Sequence, residues 1–182
     1  MSLTFSRRSF LKYTAVAAVA VAGSSLLTGC KDNPYQPTGT IGSTLTIMGD
    51  FTLKNATLNA TTKKMTCGMT FKCTSKRNLH VIPSCFQIDV TSKDGKKVTT
   101  YSCDQSVNKK VSLKNTDKDL AKDETLTTEL YVEEMNALED GCKVEIKYWP
   151  RAQSSEGLLG YTEAYATWTM KYDAVKNEFV KV

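Results

Sequence analysis

From Met65 to Thr74 the chain alternates without a break: Met65, Cys67, Met69, Phe71 and Cys73 against Thr66, Gly68, Thr70, Lys72 and Thr74. A period of two sends successive side chains to opposite faces of a strand, so this run requires a sheet with one apolar and one polar face. No long helical pattern recurs between Thr44 and the C-terminus. Leu45, Ile47, Phe51 and Leu53 share one parity, with Gly49 as a candidate bulge. Phe86–Thr91 runs into Lys93-Asp94-Gly95-Lys96, and Lys97–Tyr101 returns. Asp-Gly between alternating runs is the strongest short hairpin signal. Leu126, Thr128, Leu130 and Val132 mark a further inward face, and Glu139-Asp140-Gly141 turns into Cys142–Tyr148. A last strand is expected from Ala164 to Tyr172, with Ala166, Trp168 and Met170 inward. About seven short strands with recurrent turn signals predict an all-β antiparallel sandwich. The central hairpin and the short turn before the penultimate strand make an immunoglobulin-like order the best fit.

The N-terminus carries a different instruction. Ser6-Arg7-Arg8-Ser9-Phe10-Leu11-Lys12 resembles the twin-arginine export signal, with Arg7, Arg8, Phe10, Leu11 and Lys12 as its defining residues. The mostly small, apolar run Tyr13–Leu27 spans roughly 22 Å as a helix, short of the ~30 Å hydrocarbon core, which fits a cleaved signal peptide better than a permanent anchor. Leu27-Thr28-Gly29-Cys30 resembles the lipobox that precedes a lipid-modified cysteine. Two acyl chains, such as palmitate, on Cys30 would tether the mature chain stably. The expected organisation is a signal peptide at 1–29, a lipidated cysteine with a flexible Pro/Gly tether at 30–43, the sandwich at 44–172 and a tail at 173–182.

Charge narrows the function. The full chain has 24 Lys+Arg against 19 Asp+Glu; leaving out Arg7, Arg8 and Lys12 leaves 21 against 19, a net of +2. The basicity is mostly that of the export signal, which argues against nucleic acid as a partner. With one histidine in the chain, a His-His metal pair is impossible, and His80 has no G-x-S-x-G to serve. Asn115-Thr116-Asp117-Lys118-Asp119 begins like a calcium loop, but Leu120 and Leu126 stand where its glycine and bidentate glutamate belong. Met65, Cys67 and Met69 put soft sulfur on one strand face, which suits copper(I) as an alternative to plain core packing. Pro150–Tyr161 reads as a loop rich in contact residues, with Trp149, Arg151, Leu158, Leu159 and Tyr161 as candidate binding residues. No catalytic constellation stands out. The expectation is a lipid-anchored module on the extracytoplasmic face of the cell membrane, without enzyme activity or cofactor, that binds a protein or small molecule.

The strand order also resembles a family of immunoglobulin-like bacterial lipoproteins known chiefly from Gram-positive organisms. Met69–Ser75, the hairpin Phe86–Tyr101 around Asp94-Gly95, and Lys122–Val132 carry the resemblance. Members of that family show a proline-glycine pair where this chain has Lys122-Asp123. The resemblance implies the immunoglobulin-like sandwich and brings no catalytic residues with it.

Five cysteines remain beyond Cys30, and outside the cytoplasm they are expected to oxidise. Cys67 and Cys73 lie about 20 Å apart on one strand, too far for a mutual bond. A two-residue turn at Asp94-Gly95 places Phe86 opposite Cys103, on the inward face. In an immunoglobulin-like order Cys67 is then expected to meet Cys142 and Cys73 to meet Cys103, leaving Cys85 odd by parity. A bulge at Pro83 would instead let Cys85 take Cys73 or Cys103.

Overall fold

The structure, a computed structural model, describes residues 36–103, 111–114, 118–154, 157–160 and 164–182. The first strands in chain order are β1 (Thr38–Gly39), β2 (Thr44–Thr46), β3 (Gly49–Asn59), β4 (Lys64–Cys73) and β5 (Leu79–Val81). A 3-10 turn at Pro83–Cys85 leads into β6 (Phe86–Thr91), followed by β7 (Val98–Ser102), β8 (Val111–Leu113), β9 (Lys118–Leu120) and β10 (Thr125–Val132). The last are β11 (Lys143–Tyr148), β12 (Arg151–Ser154), β13 (Gly157–Gly160), β14 (Ala166–Asp173) and β15 (Glu178–Lys181).

Two sheets form the sandwich. One has the order β2-β3-β4-β10-β8; the other has β1-β14-β11-β6-β7, with β15 also on β14. Taken in chain order, β3, β4, β6, β7, β8, β10, β11 and β14 occupy the places of strands A, B, C, C′, D, E, F and G. The A-B-E-D sheet then faces the G-F-C-C′ sheet, which is the immunoglobulin arrangement. A third, small sheet of order β13-β12-β5-β9 adds to it.

The alternation at Met65–Cys73 does what its period dictates. All five apolar residues of β4 are 0% exposed, and the intervening positions are not buried. Leu126, Thr128, Leu130 and Val132 of β10 and Ala166, Trp168 and Met170 of β14 are buried as well. Aromatic rings join the sheets. Phe51 and Phe71 from one meet Tyr148 from the other at 4.9 and 5.2 Å between centroids, and Phe86 lies 4.7 Å from Tyr148. Each such pair contributes about 0.5–1.5 kcal/mol beyond the area it buries.

The Asp94-Gly95 hairpin forms in the predicted register, with Gln87 opposite Ser102 and Thr91 opposite Val98. Gly95 takes φ 75, which a residue with a Cβ rarely adopts. Asp123 takes φ 68, the conformation that a glycine would adopt freely in a proline-glycine pair at this place. Aspartate tolerates it at modest cost.

Four boundaries differ from expectation. Gly49 is no bulge: it closes a tight turn between β2 and β3, with Met48 at φ 61 and Ile47 N–H donating to the Gly49 carbonyl at 3.0 Å. A Cβ on Gly49 would come within 2.5 Å of the Lys72 carbonyl oxygen, so the close approach of β3 and β4 requires glycine. The bulge of β3 falls instead between Leu53 and Asn55, where the Asn55 side chain accepts the Gly68 N–H at 3.1 Å. The tether at 30–43 is not free throughout, because β1 pairs parallel with β14 and Trp168 Nε1 donates to the Ser43 carbonyl at 3.1 Å. The tail at 173–182 contains β15, whose Phe179 packs on Tyr172 at 5.5 Å. Finally, Pro150–Tyr161 is not a bare loop, since β12 and β13 pair within it as a hairpin. In the last three cases a short segment found a sheet edge whose unpaired backbone groups needed partners.

At the centre of the ring cluster, the Tyr148 hydroxyl is fully buried and has no hydrogen-bond partner among the described residues. Burial raises its ionisation well above the usual tyrosine range. Tyr148→Phe is therefore expected to leave the urea-unfolding free energy unchanged or raise it by about 1 kcal/mol. Phe71→Ala, which empties the same cluster, is expected to cost about 3–5 kcal/mol. A loss of about 2 kcal/mol or more in Tyr148→Phe would show that the hydroxyl is hydrogen-bonded.

Candidate functional site

Where β11 passes into β12 the chain leaves the large sheet for the small one, and the change of direction opens a cleft beside the β6–β7 hairpin. Its volume is about 490 Å³. The floor comes from the hairpin's outward positions: Gln87 and Ser102 are register partners, and Thr100 stands opposite Asp89. Trp149 and Arg151 form the wall, separated by the buried Pro150. Ser84, Phe86 and Cys103 complete the lining. The wall is tied to the floor by the Trp149 N–H, which donates to the Cys85 carbonyl at 2.9 Å. The Trp149 ring lies against Tyr165 at 5.1 Å.

Beside the floor, on the same outward face of the sheet, lies an ionic cluster. Lys147 Nζ donates to Asp89 Oδ2 at 2.8 Å, Thr100 Oγ1 donates to Oδ1 at 2.7 Å, and Gln87 Nε2 reaches both oxygens at 2.9 and 3.0 Å. Burial alone would raise the Asp89 carboxyl; the bonds from Lys147, Thr100 and Gln87 outweigh it and hold the group below the usual carboxylate range. Asp89 thus fixes the orientations of two cleft residues, Gln87 and Thr100.

The small sheet adds an outward polar row. Arg151 of β12 is the register partner of His80 in β5, and His80 is the partner of Asp119 in β9. His80 Nδ1 contacts the Asp119 carboxylate. Leu79, Val81 and Leu120 on the opposite parity are buried, so the row faces away from the core. The arrangement offers a guanidinium fork, an indole face and several hydroxyls around one opening. That set can hold a small ligand with an aromatic or apolar body and a carboxylate or phosphate group.

Of the predicted binding residues, Trp149 and Arg151 line the cleft. The backbones of Leu158 and Leu159 pair with Gln153 and Ala152 in the β12–β13 hairpin; their side chains, like the whole of Tyr161, lie outside the described residues. So do Cys30 and the signal residues Arg7, Arg8, Phe10, Leu11 and Lys12. Ser84, Gln87, Thr100, Ser102 and Asp119 were not foreseen. The outward parity of the hairpin had placed Gln87 against Ser102, but nothing in the sequence brought Trp149 to that face.

The structure places the sulfur-bearing residues of β4 in the core: Met65, Cys67 and Met69 are all 0% exposed, and burial pushes the Cys67 thiol up to about 12. The five described cysteines are free thiols in this structure, with Cys67, Cys73, Cys85 and Cys142 buried and Cys103 partly exposed. Cys73 directs its thiol to the carbonyls of Arg77 and Ser75, at 3.4 and 3.7 Å.

Residues 4–24 match the signal sequence of the twin-arginine translocation (TAT) pathway, so the chain is exported across the membrane. Among solved structures, the chain is similar to a secreted protein of Mycobacterium tuberculosis, MPT63. That likeness is 14% identical, covers 75% of this chain and 98% of that one, and has a TM-score of 0.40. It is also similar to the yjhA protein of Bacillus subtilis, at 12% identity over 60% of this chain and 79% of that one, with a TM-score of 0.37. No curated protein matches the sequence.

Because the folded Asp89 carboxyl is depressed, its contribution to stability is present above the ordinary carboxylate pKa of about 4 and is lost as pH falls through the lower folded value. Asp89→Asn is expected to be less stable than wild type at pH 7. The difference should shrink between about pH 4 and pH 2, as followed by thermal unfolding across that range. A difference that does not change with pH would remove the ionised carboxylate from this account.

Proposed function

We propose that the protein is a lipid-anchored binding module on the extracytoplasmic face of the membrane, acting without catalysis, with the Trp149–Arg151 cleft as its ligand seat. The observation that carries the reading is the convergence of one arginine and one half-buried tryptophan on a floor of hydroxyl and amide groups. Arginine donates in a planar fork suited to a carboxylate or phosphate, and the indole supplies a rigid apolar face. The bonds on Asp89 hold Gln87 and Thr100 in place before any ligand arrives, which lowers the ordering cost of binding. Anchoring rests on Leu27-Thr28-Gly29-Cys30, which follows directly on the matched export signal.

Benzoate and phenyl phosphate are suitable probes of the cleft. Trp149 is the half-buried one of the two tryptophans, Trp168 being 0% exposed, so its fluorescence reports on the opening. Saturable quenching is expected, with Arg151→Ala weakening the affinity roughly ten- to a hundredfold, the effect of losing a charged hydrogen bond. Affinity unaffected by Arg151→Ala, or no saturable quenching by either probe, would overturn the ligand seat. For the anchor, wild-type protein should sediment with membranes and incorporate labelled fatty acid. Cys30→Ala should do neither, and equal labelling of both would overturn the anchoring.

A further inference from the structure

The 3-10 turn at Pro83–Cys85 breaks the alternation that leads into β6. Cys85 and Phe86, adjacent in sequence, are consequently both buried, at 0% and 2% exposure. In an unbroken strand Cys85 would point outward with Gln87. Carrying the β6–β7 register one residue beyond Gln87–Ser102 sets Phe86 opposite Cys103. Cys85 then stands one position diagonal to Cys103. With strands about 4.8 Å apart and a step of about 2 Å in a 3-10 turn to about 3.3 Å in a strand, the Cα separation is about 5–6 Å, inside the ~4.4–6.8 Å that disulfides span. The turn supplies the remaining condition, because it buries the Cys85 side chain beside Phe86, and Phe86 and Cys103 line the same cleft.

We propose that Cys85 and Cys103 form a disulfide after export, with Cys103 as the entry thiol and Cys85 as the resolving one. The other cysteines are placed elsewhere. Cys67 is enclosed in the core, Cys142 lies beside Glu139 and Asp140, and the Cys73 thiol is directed at the Arg77 carbonyl. Cys103 is partly exposed and lines the cleft, where an oxidant can reach it. Electrostatics agrees with the assignment: burial pushes the Cys85 thiol up to about 11, Arg151 pulls it down, and Cys103 is the cysteine that acts on it. A buried thiol of this kind does not begin an exchange but can finish one once a mixed disulfide is held beside it.

The oxidant is an extracytoplasmic thiol–disulfide oxidoreductase. The Cys103 thiolate attacks its disulfide, forming a mixed disulfide and releasing one of the oxidant's thiols. Cys85 gives up its proton and attacks the Cys103 sulfur, and the second thiol of the oxidant leaves. The two cysteines lose two electrons and two protons, and the oxidant's disulfide becomes a dithiol. Twin-arginine export carries chains that have already folded in a reducing cytoplasm, so a bond that closes from a cleft without unfolding the sandwich suits the route.

Tryptic digestion places all five mature cysteines other than Cys30 on separate peptides, with Cys85 on 78–93 and Cys103 on 98–109. Exported wild-type protein, blocked with N-ethylmaleimide under acid quench and digested without reduction, is expected to yield 78–93 linked to 98–109. Cys67, Cys73 and Cys142 should be blocked only after denaturation. In exported Cys85→Ser, maleimide should label Cys103 rapidly in the native state. Phosphine reduction should lower the melting temperature of wild type by several degrees and leave that of Cys85→Ser unchanged. Complete native labelling of Cys103 in exported wild type, or a linked peptide joining Cys103 to Cys73, would overturn the assignment. The mapping uses wild-type protein, so it decides the matter even if Cys85→Ser folds poorly.

Discussion

Phe51, Phe71, Phe86 and Tyr148 hold the two sheets together. Each comes from a different strand, two per sheet, and their centroids lie 4.7–5.9 Å apart where they meet. The contact requires β4 and β11 to cross at one height, and much of the rest follows from it. It brings Trp149, the residue after Tyr148, out beside the hairpin that Phe86 begins. The cleft is thus a consequence of how the core is packed: its wall and its floor are the continuations of two strands whose inward aromatic residues are in contact.

The margins of the sandwich obey a second constraint. An unpaired strand edge leaves backbone groups without partners, and this chain covers the outer flank of β14 with segments of low apolar content. β1 lies along the first half of β14 and β15 along the second. Trp168 secures the first of these by donating to the Ser43 carbonyl. A protein exported in the folded state benefits from closed edges, because an exposed strand edge is a template for aggregation.

The polar side of the large sheet is organised around Asp89. A carboxylate that accepts from Lys147, Thr100 and Gln87 couples β6, β7 and β11 through side chains as well as through the ladder. Its position next to the cleft means that the same bonds that stabilise the hairpin also orient the groups a ligand would meet. Arg151 belongs to both neighbourhoods, facing the cleft while sharing a row with His80 and Asp119.

Strand identity, strand faces and the hairpin register were legible in the sequence because they are local. A period of two decides which side of Met65–Cys73 is buried, and Asp94-Gly95 centres the hairpin so that Gln87 falls opposite Ser102. The export signal was legible for the same reason: its arginines and apolar run are contiguous. The small sheet was not, because β5, β9, β12 and β13 are three or four residues each and form only where other strands offer them an edge. Nor were β1 and β15, whose pairing depends on the finished flank of β14. The burial of Cys85 turned on the 3-10 turn at Pro83, which reverses the parity of one residue. Proline gave the possibility of a break there, but only the packing of Phe86 against Phe71 and Tyr148 decided which way Cys85 would face.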